Sequence, residues 1–510
     1  MNKKPWLLGA GSLVAIAAAV KLLVHLYAGR QYGFFVDELY YLDCGQHLAW
    51  GYVDQPPFIA FIAKIVRTLF GDWLSGIRLP AALAGAATAI LTGLLARELG
   101  GRRFAQGIAA LSFLLAPGIL ALDHFLSMNA FEPLFWMGCA LVVIRIVRTD
   151  NPRLWIWFGV LAGIGLENKH SMPIFGFGLI AGLLLTRERR FLASRWLWIG
   201  GAVAFLIFLP NLLWNIQHHF PFLELQANIR RSGRDVPLSP LAFFSQETLA
   251  MLPLSLPIWL AGLWYLFFHR EGKTYRALAW AWTIAAIVIV ALSPRTYYLF
   301  PAYPLLFAAG GVAWERALTA PRLQWIKPVY ATLMILMAAL LAPTLLPLLP
   351  PETYIRYAEA THLQQPRIET HNLGPLPQLF ADQFGWPEMA VTVAGVFDTL
   401  PPDVRAKTCI FTRNYGQAGA IDLFGPKYGL PQAISGHQSH FLWGPGNCTG
   451  ESVIVFGGRQ PDLERDYAAV RKVARIEHRY SMPYEHFDVY YCQGLKMPIS
   501  EAWPHVKNWD

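Results

Sequence analysis

Eleven long apolar runs occupy most of the first 350 residues, near positions 6–28, 78–98, 104–122, 129–148, 153–167, 171–186, 196–214, 250–268, 277–293, 298–314 and 326–347. A helix needs about 20 mostly apolar residues to cross a bilayer. A chain with so many such runs has too little polar surface to cover them in water. Compact basic clusters stand between the runs: Lys3/Lys4, Arg102/Arg103, Arg145/Arg148/Arg153, Arg187/Arg189/Arg190 and Arg270/Lys273/Arg276. Charged residues make up 15% of the chain, against about 25% in a soluble domain. The pattern specifies an all-α polytopic membrane protein with about 11 transmembrane helices. It excludes a soluble enzyme, a disordered scaffold and a secreted disulfide mini-protein.

The net charge of +9 does not mark a nucleic-acid partner, because the basic clusters lie where the positive-inside rule puts cytoplasmic loops. With the amino terminus in the cytoplasm and the sides alternating, Asp37–Asp54, Asp123, Glu167–Lys169, His218–Arg234 and Arg295 fall on the outer face. Arg230, Arg231 and Arg234 break the charge rule there, through function or through a miscounted span. The first run has the basic start of a signal peptide but stays apolar to about Tyr27, longer than a signal core, and reads as an anchor. An odd span count leaves the carboxyl-terminal region outside as well. The expected location is the bacterial inner membrane, with that region in the periplasm.

Near residue 350 the composition turns polar and turn-rich. Short β-like stretches at Thr408–Thr412, Ser452–Gly457 and Asp488–Cys492 predict a small soluble α/β domain. The expected division is therefore a membrane domain over 1–348 and a periplasmic domain over 349–510. Cys139 reads as a small core residue. Two of Cys409, Cys448 and Cys492 can pair in an oxidising compartment, and the sequence leaves open which two.

The chemistry-bearing residues gather at the outer ends of the spans. The first outer loop carries Asp37, Glu38, Tyr40, Tyr41 and Asp54, acids interleaved with aromatics. A carboxylate there can serve as general base toward a hydroxyl; the plainer reading is solvated loop acids or a helix cap. Asn129 and Glu132, one turn apart at the head of the fourth span, share a helix face. An acid at that depth is costly unless paired or facing water. Lys169 and His170 lie at the same outer level, where Lys169 either pairs with Glu167 or offers its charge to a lipid phosphate. Arg295, Tyr297 and Tyr298 place a cation and two rings at another outer edge, where tyrosines commonly belong to the interfacial belt. With Arg230 and Arg231, this face gathers several cations suited to one anion. The runs Asn414–Asp422 and Ser435–Ser439 suit either sugar contacts or tight turns.

Five motifs in order resemble one family: Asp37-Glu38-x-Tyr40-Tyr41, Tyr52-x-Asp54-x-Pro56-Pro57, Arg78 opening the second span, Gly163-x-Gly165-Leu166-x-x-Lys169, and Arg295-x-Tyr297-Tyr298-Leu299-x-Pro301-x-Tyr303-Pro304. Over residues 1 to about 345 the chain is similar to the dolichyl-phosphate-mannose-type protein mannosyltransferase superfamily, which includes bacterial glycosyltransferase family 39 and the lipid A aminoarabinose transferase relatives. The resemblance implies a GT-C fold and an inverting transfer of a sugar from a polyprenyl-phosphate carrier to an acceptor hydroxyl of a lipid, glycan or protein. It implies that Asp37 is the catalytic carboxylate, that Glu38 and Asp54 accompany it, and that Lys169 or an arginine grips the phosphate. Two positions depart from the family pattern: Gln55 stands where some relatives carry Lys, and Asn129 where many carry a second acid. No cofactor is expected, since no Walker-type glycine loop is present; a divalent cation near Asp37 and Asp54 is compatible with the residues but demanded by no motif. Two other functions stay open: a lipid-linked-sugar flippase, and a non-catalytic envelope scaffold.

Overall fold

The computed structural model describes residues 10–292, 295–363, 365 and 369–510. Lys3/Lys4, positions 6–9 of the first expected span and position 293 of the ninth lie outside the described residues. The chain forms two compact units. One comprises Met1–Arg30, Arg78–Trp214 and Val236–Leu348; the other comprises Gln31–Ile77, Asn215–Asp235 and Leu349–Asp510. The carboxyl-terminal region is thus built together with two segments that the sequence reading assigned to outer loops.

In the first unit every apolar run carries helix: Ala10–Ala28, Leu74–Glu98, Arg103–Leu115 followed by Pro117–Leu122, Met128–Thr149, Trp155–Asn168, Met172–Leu184, Arg195–Gln217, Pro240–Ala250 followed by Leu256–Phe268, Arg276–Leu292, Tyr303–Ala317 and Ile326–Leu341. The chain is a multi-pass membrane protein. Among the described residues, six helices are long and apolar enough to cross a membrane alone, or up to seven if the pair around Pro253, bent by 97°, counts as one span. The other runs are cut short. Ahead of Pro117, for example, Ala116 is extended (φ −67°, ψ 113°), because proline disfavours helix in the residue before it.

Burial sorts these helices. The spans Leu74–Glu98 and Met128–Thr149 are 67% buried, whereas Arg195–Gln217 and Pro321–Thr344 are 11% buried and expose apolar side chains. Glycines let neighbouring helices touch, as small residues do in membranes. A Cβ on Gly310 would stand 1.9 Å from the Ile258 carbonyl oxygen, and one on Gly262 2.1 Å from that of Leu306. Lys21 and Asp123 form an ion pair at 2.8 Å, both almost wholly buried. An unpaired charge would be costly at such a site.

The second unit holds a five-stranded sheet: β1 (Thr408–Thr412), β2 (Ala433–Ser435), β3 (Ser452–Phe456), β4 (Tyr467–Ile476) and β5 (Phe487–Leu495). Their order is β2-β1-β3-β5-β4. The strand β1 runs parallel to β2 and β3, and β5 is antiparallel to β3 and β4. The sequence pattern marks β1, β3 and β5 but misses β2, which is three residues long, and β4. The latter is a mostly exposed edge bearing Arg471, Lys472 and Arg475, charges that blunt an edge against further pairing. Cys409 is bonded to Cys448, and Cys492 is a buried free thiol.

Packing between two helices positions the site. The Val36–Gln46 helix lies on the Tyr415–Phe424 helix. A Cβ on Gly416 would come within 2.3 Å of Val36 Cγ2, and one on Gly419 within 2.8 Å of the Leu39 backbone. The Asn414–Asp422 run is therefore helical rather than a turn. Its side-chain cap is Asn414, whose Oδ1 accepts from Gln417 N–H at 2.9 Å, as asparagine does at helix starts.

Candidate active site

In the second unit, the Val36–Gln46 helix begins at Phe35, whose backbone N–H donates to Glu38 Oε2 at 2.8 Å. Glu38 is buried, and this bond makes it a helix cap, the plainer of the two readings. Asp37 and Asp54 are half-buried. Tyr415 donates its hydroxyl proton to Asp37 Oδ1 at 2.7 Å. Tyr40 donates to Asp54 Oδ1 at 2.8 Å and stands 2.7 Å from the Ser439 hydroxyl. Because Tyr40 has one proton, already given to Asp54, the Ser439 proton points back to Tyr40. Ser439 Oγ also accepts from Val53 N–H at 3.1 Å. This ties the Asp54 turn in place, as does Tyr52, whose hydroxyl donates to the Cys44 carbonyl at 2.9 Å.

The rings form a stack. Tyr415 lies 4.7 Å from Tyr40 and 4.9 Å from His437 between ring centres. His437 Nδ1 accepts the Tyr415 backbone N–H at 3.1 Å, so His437 is neutral with its proton on Nε2. Burial holds it there, depressing its pKa to about 4. Burial raises Asp54 to about 7, the Tyr40 hydrogen bond opposing this and the Asp37 charge adding to it. Tyr41 is buried between the same two charges, and its phenol is pushed well up, by burial first and then by Asp37 and Asp54. The structure thus brings Asp37, Asp54, Tyr40 and Tyr41 together.

Arg230 and Arg231 stand exposed at the end of the Pro221–Ser232 helix. The cation whose charge reaches Tyr415 and His437 is Arg234, which also lies 3.7 Å from Glu369. Gln55 is fully buried, and its Nε2 donates weakly to Cys44 Sγ at 3.8 Å.

The other candidates belong to the first unit. Ser127 caps the Met128–Thr149 helix by accepting from Asn129 N–H. Asn129 and Glu132 then share the face the spacing predicts. Lys169 Nζ donates to Asn129 Oδ1 at 2.7 Å and to Glu132 Oε2 at 2.8 Å, and the Ser171 hydroxyl bonds the other Glu132 oxygen. The partner of Lys169 is therefore Glu132 and not Glu167. Among the described residues, neither oxygen of Glu167 has a hydrogen-bond partner. Lys169 also sits over Tyr298 and Tyr297, 4.5 and 5.1 Å from the ring centres, and those rings stack on each other at 4.6 Å. Such rings stabilise a cation by their negative faces. Arg295 is within electrostatic reach of Tyr298, and His170 is half-buried at the turn after Lys169.

Tyr415 and Ser439 were legible only as members of polar runs. The signal for Tyr415 was its place just after a helix-capping asparagine. Ser439 and Arg234 carry no local signal of their partners.

A bundle of apolar helices and an α/β unit that carries paired carboxylates define a multi-pass membrane protein with the GT-C glycosyltransferase fold. Over residues 54–214 the chain matches the dolichyl-phosphate-mannose-protein mannosyltransferase family. It is 27% identical over 253 residues to the lipid A galacturonosyltransferase RgtD of Rhizobium johnstonii, covering 47% of this chain and 50% of that one. It is 28% identical over 264 residues to the undecaprenyl phosphate-alpha-4-amino-4-deoxy-L-arabinose arabinosyl transferase 1 of Pseudomonas fluorescens, covering 48% and 44%. The chain thus matches about half the length of these relatives. The structure of ArnT from Cupriavidus metallidurans bound to undecaprenyl phosphate superposes with a TM-score of 0.61 at 16% identity, over 94% of this chain and 97% of that one.

Proposed function

We propose that this protein is a membrane glycosyltransferase that moves a sugar from a polyprenyl-phosphate carrier to a hydroxyl of an envelope glycolipid, inverting the anomeric centre. The observation that carries this reading is the pair Asp37 and Asp54, half-buried, each held by a tyrosine hydroxyl and each within the other's field. The acceptor oxygen forms a bond to the anomeric carbon as the bond from that carbon to the phosphate oxygen breaks. The acceptor proton passes to Asp37, and polyprenyl phosphate departs. Asp54 holds the acceptor hydroxyl and keeps the pair from being doubly charged at low pH, since neighbouring carboxylates resist ionising together. Glu38 acts through the helix it caps.

A separate role is assigned to the Lys169 cluster in the first unit, which is to hold an anionic headgroup. Lys169 and Arg295 place two cationic side chains at this edge, and Asn129, Tyr297 and Tyr298 orient Lys169. The proposed location is the bacterial inner membrane with the carboxyl-terminal region in the periplasm, a reading supported by the Cys409–Cys448 disulfide, which suits an oxidising compartment. The phosphate leaving group makes a further cofactor unnecessary in this scheme. The relatives named for lipid A and lipopolysaccharide core support the acceptor class.

Purified protein in nanodiscs, offered polyprenyl-phosphate sugars and envelope lipids, tests the reading. Wild type should transfer sugar, and Asp37→Asn of unchanged thermal stability should lose a hundredfold or more, roughly the contribution of a general base. Equal transfer by both removes Asp37 from the chemistry. Lipid movement across the bilayer without transfer makes the protein a flippase, and neither activity makes it a scaffold.

A further inference from the structure

Six positions beyond Asp37, on the same helix, Asp43 is buried and converges with two residues of the carboxyl-terminal region. His440 Nε2 stands 3.2 Å from Asp43 Oδ2. Ligand atoms of Asp43, Asp422 and His440 all lie within 4.8 Å of one another. Among the described residues no Lys or Arg pairs with either carboxylate. Arg67 reaches both only at a distance and is bonded to Asp72 at 2.8 Å. His440 is 97% buried, at 3% exposure, and among the described residues its Nδ1 has no hydrogen-bond partner. Its ring is fixed by Trp443, whose centre is 4.4 Å away. His440 and Asp422 also line a cavity of about 400 Å³, together with His47, Trp443 and Asn447.

Two carboxylates drawn together out of water, without a cation beside them, repel each other and lose hydration. A positive charge between them removes both costs. One imidazole and two carboxylates make a donor set suited to zinc and its neighbours. With metal–ligand bonds of about 2.0–2.2 Å, two ligands on one tetrahedral zinc stand roughly 3.3–3.6 Å apart, slightly more than the 3.2 Å between His440 and Asp43. The cavity gives the ion an entry path and leaves room for a water or substrate oxygen.

We propose that Asp43, Asp422 and His440 form a binding site for one zinc-class divalent cation, with a further coordination position open to the adjoining cavity. These three residues are distinct from Asp37 and Asp54.

The test uses the full-length protein in detergent, freed of any histidine tag, stripped with chelator and titrated with Zn²⁺, with bound metal read by mass spectrometry. About one zinc per chain is expected for wild type. His440→Gln and Asp422→Asn should each bind at least tenfold more weakly, since even the loss of a residue that only supports a ligand costs about that much. Should either variant fold poorly, wild type alone decides: Zn²⁺ added after chelation should raise its melting temperature. No zinc uptake by wild type, or zinc held equally by both folded variants, overturns the site. A melting temperature that responds to pH but not to Zn²⁺ also overturns it, and makes a shared proton the occupant.

Discussion

Tyr415 reaches back 378 positions to donate a 2.7 Å hydrogen bond to Asp37, so a residue of the carboxyl-terminal region holds an acid of the loop that follows the first apolar run. A hydrogen bond to a carboxylate contributes about 1.5–3 kcal/mol and favours the ionised form. Tyr415→Phe should therefore raise the pKa of Asp37. The acid limb of sugar transfer should move to higher pH and the turnover number fall about tenfold, with KM for the lipid donor little changed. An unchanged pH profile would show that Tyr415 only fills space.

Asp54 titrates near neutrality because burial raises it to about 7. If its ionised form is needed, kcat/KM should climb with unit slope up to about pH 7 and then level off, and Asp54→Asn should abolish that limb. Stability should run the other way. The unfolded carboxyl loses its proton near 3.9 while the folded one keeps it to about 7. Between those values the native state binds the extra proton, and stability falls as pH rises. Melting curves of Asp54→Asn should show a smaller loss between pH 4 and 7 than wild type.

Lys169 and Glu132 are both nearly buried and 2.8 Å apart. Removing one partner strands the other, at a cost of about 3–5 kcal/mol. Lys169→Met should therefore lower the melting temperature more than the double variant Lys169→Met/Glu132→Leu, in which no charge is left alone. If Lys169 also holds an anionic headgroup, both variants should raise KM for the lipid donor. A melting temperature lowered equally by both would show that burial, and not charge pairing, decides the site.

The Cys409–Cys448 bond closes a 39-residue separation, for which chain entropy gives about 4 kcal/mol. Cys409→Ser/Cys448→Ser should unfold its unit at lower temperature, whereas Cys492→Ser should keep the crosslink. Alkylation of unreduced, denatured protein should label Cys492 and spare Cys409 and Cys448. Label on Cys448 would refute the pairing.

The sequence by itself determined that the chain spans a membrane, where its apolar runs lie, that a small α/β region follows, and that the first loop is rich in acids and aromatics. Hydrophobic length and charge placement are local properties, and each window carries its own signal. Asn129 and Glu132 could be put on one face for the same reason, since helix periodicity fixes it. Only the tertiary structure decided that Lys169 takes Glu132 and not its neighbour Glu167, that Cys409 chooses Cys448, and that Glu38 caps a helix while Asp37 faces Tyr415. It also decided that the Tyr415–Phe424 run is a helix with a glycine face on which Val36 and Leu39 rest. The Glu38 cap spans three positions, whereas the pairings of Lys169 with Glu132, Cys409 with Cys448 and Asp37 with Tyr415 join residues tens to hundreds of positions apart. They depend on which surfaces meet when apolar area is buried, and no spacing within either partner's own segment encodes that choice.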